Sequence, residues 1–453
     1  MPSIAIIVLD TVRKDAFDDH FDWLPGIHFD RAYSTSHWTV PAHASLYTGR
    51  YPSELGVHGK SPTFDCREPV LAEQFREAGY RTRLLSANPN IVYHDGWERG
   101  FEEVKTSYDI AHLHNSVQEN VLDWPHFIKS SKKSGLSVYI EGIKSCMSRD
   151  VSTIKSLRHG INLKRQGGIS SLLEDDGAAV VDKYIRDQEF GESEFLFVNL
   201  MEAHNPYDPP VEYNTAGESV GAVFGEAISN EVENETQIRQ GYDDAVRYLA
   251  DVYRDIFEGL EQSFDYVITL SDHGECLGEH GMWNHGYGVY SELVHVPLVI
   301  SGGGVDAPTG SDLRSDIVSL LDVHQTVADL AGISVDSRGT NVLETSRDEP
   351  AMTEYHGLLS WHYEQLCRYG VTDEEMDALE PPLNGVVDSE GRYGYETHDS
   401  GFVAQNEASE ALQRELDRIR KEVDPISIDS DAEVESGDLP AEVEAQLRNL
   451  GYK

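Results

Sequence analysis

Residues Ile4–Leu9 form an unbroken apolar run rich in β-branched side chains. That is the pattern of a strand buried on both faces of a parallel sheet. Similar runs recur at 80–86, 195–200, Tyr266–Leu270 and 296–300. Helical patterns lie between them. Segment 69–79 opens with a proline in its first turn and closes on a glycine. Segment 238–260 places Ile238, Tyr242, Val246, Leu249, Tyr253, Ile256 and Leu260 at three-to-four spacing, and 316–331 reads as a further helix stopped by Gly332. Strands alternating with helices predict a doubly wound α/β layer fold, in which ligands collect at the carboxyl ends of the strands.

Three stretches depart from this rhythm. Residues 126–166 are locally basic, with Lys129, Lys132, Lys133, Lys144, Arg149 and Lys155 among them. Leu136, Ile140, Ile143 and Met147 follow helical spacing inside it, which predicts an inserted amphipathic cap. Residues 384–403 read as a hairpin around Asp388-Ser-Glu-Gly391. From 404 the chain turns acidic and helix-prone, then loosens into a tail expected to be mobile. The expected organisation is a catalytic α/β domain over 1–335, a small β-containing subdomain over 336–403 and the acidic tail over 404–453.

Composition narrows the function. At 453 residues, 39% hydrophobic, the chain has ample material for a large core. Its 80 acidic against 36 basic residues give a formal charge of −44, a surface that repels nucleic-acid phosphates. Adaptation to a salty cytoplasm accounts for such a balance, because 1 M salt shortens the Debye length to about 3 Å. An acidic surface for binding cations is the alternative. Cys66, Cys146, Cys276 and Cys367 show no CxxC spacing, which excludes a zinc knuckle. The first residues carry no charged leader, and no run approaches the roughly 20 apolar residues of a membrane span. A cytoplasmic protein without a transmembrane segment is therefore expected. The basic insert could draw a polyanionic substrate or make peripheral contact with an anionic membrane.

Four places carry candidate chemistry. Asp10 ends the first strand, where an α/β site is built. In Trp38-Thr-Val-Pro-Ala-His43, Pro41 suits the first helical position, so Thr39 should sit just before a helix whose free N–H groups attract anions. A plain N-cap is the alternative role for Thr39. Residues 195–210 deliver His204 from a strand into a proline-rich loop. Ser271-Asp-His-Gly274 follows another strand, and adjacent Asp272 and His273 can both reach one cation. His280 and His285 follow on the same loop.

Asp10-Thr-Val-Arg13, Trp38-Thr-Val-Pro-Ala-His-Ala-Ser-Leu-Tyr-Thr-Gly49, Met201-Glu-Ala-His-Asn-Pro-Tyr207, Ser271-Asp-His-Gly-Glu-Cys-Leu-Gly-Glu-His-Gly281 and the segment 290–300 resemble, in order, motifs of the sulfatase family of the alkaline-phosphatase superfamily. The resemblance spans residues 3–333. It implies a three-layer sandwich with a mostly parallel central sheet and a small C-terminal β-containing subdomain. It implies one divalent metal held by Asp10, Thr39, Asp272 and His273, with Thr39 as nucleophile and His204 beside the leaving group. His285 and Asn88 fall near substrate-contact positions. His43 stands with the catalytic groups, where the family carries arginine in its C/S-x-P-x-R motif.

The departures are chemical. Family sulfatases oxidise a Cys or Ser to formylglycine, but threonine has a secondary β-carbon whose oxidation gives a ketone, so formylglycine is excluded here. Thr11 replaces the second aspartate of the usual pair, leaving an O₃N donor set that suits Zn²⁺ or Mn²⁺ better than Ca²⁺, which takes 6–8 oxygens, with Mg²⁺ also possible. A metal-dependent hydrolase of sulfate or phosphate esters follows, acting on a small molecule, a saccharide or an envelope component. Transfer of the covalently held group to a glycan or lipid is the alternative on the same site. A non-catalytic relative that binds anionic glycans is the third.

Overall fold

In the computed structural model the described residues are 1–106 (except 59, 60, 62 and 93), 177–217, 232–303, 312–358, 370–404 and 409–426, with Lys144, Tyr363, Leu366 and Cys367 besides. Apart from Lys144, the basic segment 126–166 lies outside them, as does the chain beyond 426.

The strands are β1 (Ile4–Leu9), β2 (Ile27–Tyr33), β3 (Arg81–Ser86), β4 (Glu103–Thr106), β5 (Glu194–Leu200), β6 (Tyr266–Leu270), β7 (Cys276–Leu277), β8 (Trp283–Asn284), β9 (His295–Val296), β10 (Leu298–Gly302), β11 (Asp312–Ser319), β12 (Ala351–Tyr355), β13 (Leu383–Val387), β14 (Tyr393–Thr397) and β15 (Gly401–Ala404). The helices are α1 (Lys14–His20), α2 (Thr39–Thr48), α3 (Pro52–Leu55), α4 (Leu71–Glu77), α5 (Ala178–Asp187), α6 (Glu235–Leu260), α7 (Ser291–Val294), α8 (Leu320–Leu330), α9 (Asp373–Leu379) and α10 (Ser409–Glu422).

Among the described residues a nine-stranded sheet runs β11-β2-β10-β6-β1-β5-β3-β4, with β9 paired to β2. It is mostly parallel, β10 being antiparallel to both β6 and β2. The apolar run of β1 explains its central place. Ile4, Ile6 and Val8 enter one core with residues of α2, α4 and α8, while Ala5, Ile7 and Leu9 enter the other with α1, α5 and α6. A strand with both faces covered cannot alternate polar with apolar. A separate antiparallel sheet, β12-β13-β14-β15, stands beside this layer.

The registers align the carboxyl ends that matter. Leu9 pairs with Leu200, Val8 with Leu270, and Ser86 with Asn199, so β1, β5, β6 and β3 finish side by side. Their following residues converge on one spot.

Several elements differ from the sequence reading. The helical pattern expected over 316–331 divides: 312–319 is strand β11, and the helix begins at Leu320 behind Ser319, whose N–H donates to Asp322 Oδ2 at 2.7 Å. The run 296–300 is interrupted at Pro297, which has no N–H for a ladder, giving β9 and β10. Thr39 is itself the first residue of α2, with Trp38 before it at the N-cap position, which places Pro41 at the third position. The acidic stretch expected to be helix-prone contains helix α10, whose Leu412, Leu416 and Ile419 pack with Tyr51, Leu321, Met352 and Val386, and the tail expected to be mobile lies outside the described residues beyond 426. Cys66, Cys276 and Cys367 are free thiols. No helix among the described residues is long and apolar enough to cross a membrane.

Candidate active site

Asp10 follows β1, and its N–H donates to the Leu200 carbonyl at 2.9 Å, so the backbone is still tied to β5 as the side chain enters the site. The next residue, Thr11, turns the chain away with φ of 61°, an unusual conformation for a β-branched residue. Asp272 and His273 follow β6 in the same manner. The Ser271 hydroxyl donates to the His273 carbonyl at 2.6 Å, and the His273 N–H donates to Asp272 Oδ1 at 3.0 Å. Gly274 is required by closeness: a Cβ there would lie 2.1 Å from the Glu292 carbonyl oxygen.

These turns bring three ligand types together. Asp10, Asp272 and His273 are fully buried and each offers an atom within 4.8 Å of the others. His273 Nε2 lies 3.6 Å from both Asp10 Oδ1 and Asp272 Oδ2, oxygens that have no hydrogen-bond donor. The His273 Nδ1 faces the Gly274 carbonyl at 2.9 Å, which engages that nitrogen and leaves Nε2 to the cluster. Burial, joined by the neighbouring Asp10 charge, pushes the Asp272 carboxyl well above its usual range. Burial pushes Asp10 upward too, but His273, His204 and the asparagine amides outweigh it and hold it below normal. Two buried carboxylates with orphaned oxygens aimed at one imidazole nitrogen fit a divalent cation, which would neutralise the pair.

Thr39 Oγ1 stands at the edge of this cluster, 3.3 Å from His273 Nε2, 3.3 Å from Asn88 Nδ2 and 3.5 Å from Asp10 Oδ2. Asn88 follows β3 and its amide also donates to Asp10 Oδ2 at 2.9 Å. It therefore joins the hydroxyl to the carboxylate. Its own Oδ1 accepts from the Asn90 N–H at 2.9 Å, which fixes the amide's orientation.

The remaining histidines divide. His204 is buried beyond β5, its Nδ1 2.6 Å from the Asn205 carbonyl. His285 lies between it and His273, with ring centroids 5.0 and 4.6 Å away. Burial lowers the pKa of both. His43 sits one turn along α2, Nδ1 3.0 Å from the Thr39 carbonyl and 3.4 Å from Asp272 Oδ2. Burial brings it down to about 4, so it is neutral at pH 7 and carries none of an arginine's charge. His280 is outside the cluster, paired with Glu292 and stacked on Tyr290.

Three residues here were not singled out by the sequence reading. Asn199 donates to Asp10 Oδ2 at 3.1 Å, so two amides hold one oxygen of Asp10 and leave the other free. It was visible as the one polar residue in the apolar run 195–200. Glu275 is fully buried against His285, and burial pushes it up to about 7 while His204 and His273 pull the other way. His37 donates from Nδ1 to the His285 carbonyl, 2.8 Å away.

An acid–imidazole cluster that could hold a divalent cation stands at the carboxyl ends of a mostly parallel α/β sheet, with a buried hydroxyl beside it. The chain belongs to the sulfatase family: the family model described as Sulfatase matches residues 19–333. The chain is 25% identical over 434 residues to a choline-sulfatase of Rhizobium meliloti (strain 1021), covering 84% of this chain and 79% of that one. It is 21% identical to the uncharacterized sulfatase YidJ of Escherichia coli (strain K12), covering 73% and 66% respectively. The fold is shared with the phosphonate monoester hydrolase of Silicibacter pomeroyi, at a TM-score of 0.62, 18% identity and coverage of 94% and 96%. The phosphonate monoester hydrolase of Agrobacterium radiobacter gives 0.58, 18%, 98% and 96%.

Proposed function

We propose that this sulfatase-family chain is a metal-dependent hydrolase of sulfate or phosphate esters, carried on a small molecule or glycan, with Thr39 as its nucleophile. The observation that carries the reading is Thr39 Oγ1 at 3.3–3.5 Å from His273, Asn88 and Asp10, at the first position of a buried helix. Asp10, Asp272 and His273 would hold the divalent ion, with Zn²⁺ or Mn²⁺ favoured by the mixed oxygen and nitrogen donors and Mg²⁺ or Ca²⁺ as alternatives. When bound, that ion supplies positive charge that acidifies a nearby hydroxyl and stabilises an anionic group.

The protein's own groups account for the rest. Thr39 Oγ1 releases its proton to water and attacks sulfur or phosphorus as the bond to the leaving oxygen breaks, so that an ester forms on Thr39. The N–H groups at the start of α2 stabilise charge on the non-bridging oxygens. His204, once it has taken up a proton from water, gives it to the departing oxygen. Asn88 holds the hydroxyl against Asp10, and Asn199 fixes Asp10 from the other side. Water then cleaves the Thr39 ester and releases the acid.

The test is a side-by-side assay of 4-nitrophenyl sulfate, 4-nitrophenyl phosphate and bis(4-nitrophenyl) phosphate with Zn²⁺ or Mn²⁺ present. Thr39→Ala is expected to lower kcat by about 10³-fold or more on whichever ester is turned over. Turnover that survives Thr39→Ala sinks the nucleophile assignment. A protein that binds no metal and turns over none of the three sinks the enzyme itself.

A further inference from the structure

Glu275 is a buried carboxylate two residues beyond His273, and its two oxygens have separate partners. Oε1 lies 3.0 Å from His285 Nδ1, while Oε2 accepts from the Tyr207 hydroxyl at 3.2 Å. The backbone of this residue is held independently, because Arg13 Nη1 donates to the Glu275 carbonyl at 3.0 Å and to Glu279 Oε1 at 2.8 Å. The side chain is therefore not needed to keep the loop in place. It addresses His285.

His285 is restrained from several directions. Its carbonyl meets His37 Nδ1 at 2.8 Å, and its ring is flanked by those of His273 and His204. What these contacts leave open is which ring nitrogen carries the proton. A neutral imidazole has one N–H and one acceptor, and the partner of one nitrogen decides the role of the other. As the carboxylate, Glu275 accepts on both oxygens, from the Tyr207 hydroxyl at Oε2 and from a His285 Nδ1–H at Oε1. Nε2 is then left to face the transferred group.

We propose that Glu275 is a positioning residue that holds the His285 ring in one plane and one tautomer, with Nε2 presented to the substrate. The inference rests on the Thr39 reading of the site, in which His285 lies beside the transferred group. It assigns Glu275 no contact with substrate and no ligand role. Its whole effect runs through His285.

That last property makes it testable in the metal-loaded enzyme with the same aryl esters. Glu275→Ala should lower kcat by about 10- to 100-fold, the range for residues that orient a site group through a hydrogen bond. Glu275→Gln should recover most of the loss, because its amide oxygen still accepts from Nδ1 and its NH₂ can donate to Tyr207. In a His285→Ala background, Glu275→Ala should cost nothing further. Metal content and Tm, followed on each variant, should stay near wild type for Glu275→Gln. In ¹⁵N-histidine spectra of the Zn²⁺-loaded protein, His285 should show the Nδ1–H tautomer.

Equal losses in the wild-type and His285→Ala backgrounds would overturn the proposal, as would an Nε2–H tautomer at His285. So would Glu275→Gln losing metal in step with activity. Thr39→Ala run in parallel keeps the two readings apart. If activity survives that change the nucleophile assignment fails, while the Glu275–His285 coupling and the tautomer are still read directly.

Discussion

Asp10 has its two carboxylate oxygens committed to different tasks. Oδ2 accepts from Asn88 and Asn199, while Oδ1 has no donor and faces His273. A divalent ion bound at that free oxygen stabilises the folded state by mass action, by about 2.7 kcal/mol when its concentration is 100 times Kd. Chelation with EDTA should accordingly lower the Tm of the wild type by several degrees. Asp10→Asn should remove most of that chelator-sensitive shift, because a neutral amide is a poor ligand beside Asp272. Differential scanning fluorimetry checks this, and an equal EDTA shift in both proteins would dissociate Asp10 from the metal. At this scale the sequence was informative wherever chemistry coincided with an element end. Asp10, Asn88, His204, Asp272 and His273 all follow strands, and the structure brings them together. Glu275 escaped notice because its target lies ten residues on and is reached only when β7 and β8 fold back as a pair. His43 was legible as a position but not as a charge, since its neutrality comes from burial, which no local pattern displays.

Elements were legible in proportion to how simply they are buried. The run of β1 and the spacing of α6 each answer to one environment, and both formed where expected. The segment 312–330 answers to two. Ile317 and Val318 lie in a strand, Leu320 and Val323 in the helix that follows, and the apolar residues of both blend into one apparent period. Only the reciprocal cap of Ser319 and Asp322 marks the change. Helix α10 falls in the acidic, helix-prone stretch and carries an apolar stripe among its charges. Its Leu416 is wholly buried beside Tyr51, Leu321 and Met352, whereas Asp417 points to solvent. Leu416→Ala should destabilise the protein by about 2–5 kcal/mol, while Asp417→Ala should stay within about 0.5 kcal/mol. Urea unfolding measures the difference. Similar losses for both would mean that this helix contributes no packing energy.

The whole molecule carries a burden that no single element reveals. A formal charge of −44 is spread over one chain, and self-repulsion opposes the compact state. Raising salt from 0.1 to 1 M shortens the Debye length from about 10 to about 3 Å and should relieve that repulsion. Tm should therefore rise with NaCl across this range, more than it does for a variant with ten exposed carboxylates converted to amides. A flat or falling Tm would show that the charge is already balanced by local pairing. The sequence disclosed the amount of charge but not its placement, and placement matters because some of it is internal. Arg83, fully buried, meets Glu194 at 3.0 Å, and Arg347 meets the buried Asp322.

Helix α2 gives the site its temporal character. Every residue from Thr39 to Thr48 is buried, and the helix is packed into one of the two cores along its whole length. Such a segment opens only when much of the protein opens with it. If Thr39 is the nucleophile proposed above, it has no hinge by which to approach a substrate, and the reaction would wait for the ester to arrive in register with a stationary hydroxyl. Mutations that loosen α2 would then act on turnover as lost aim rather than lost affinity. Breadth of substrate, where it exists, belongs to the other walls of the cleft.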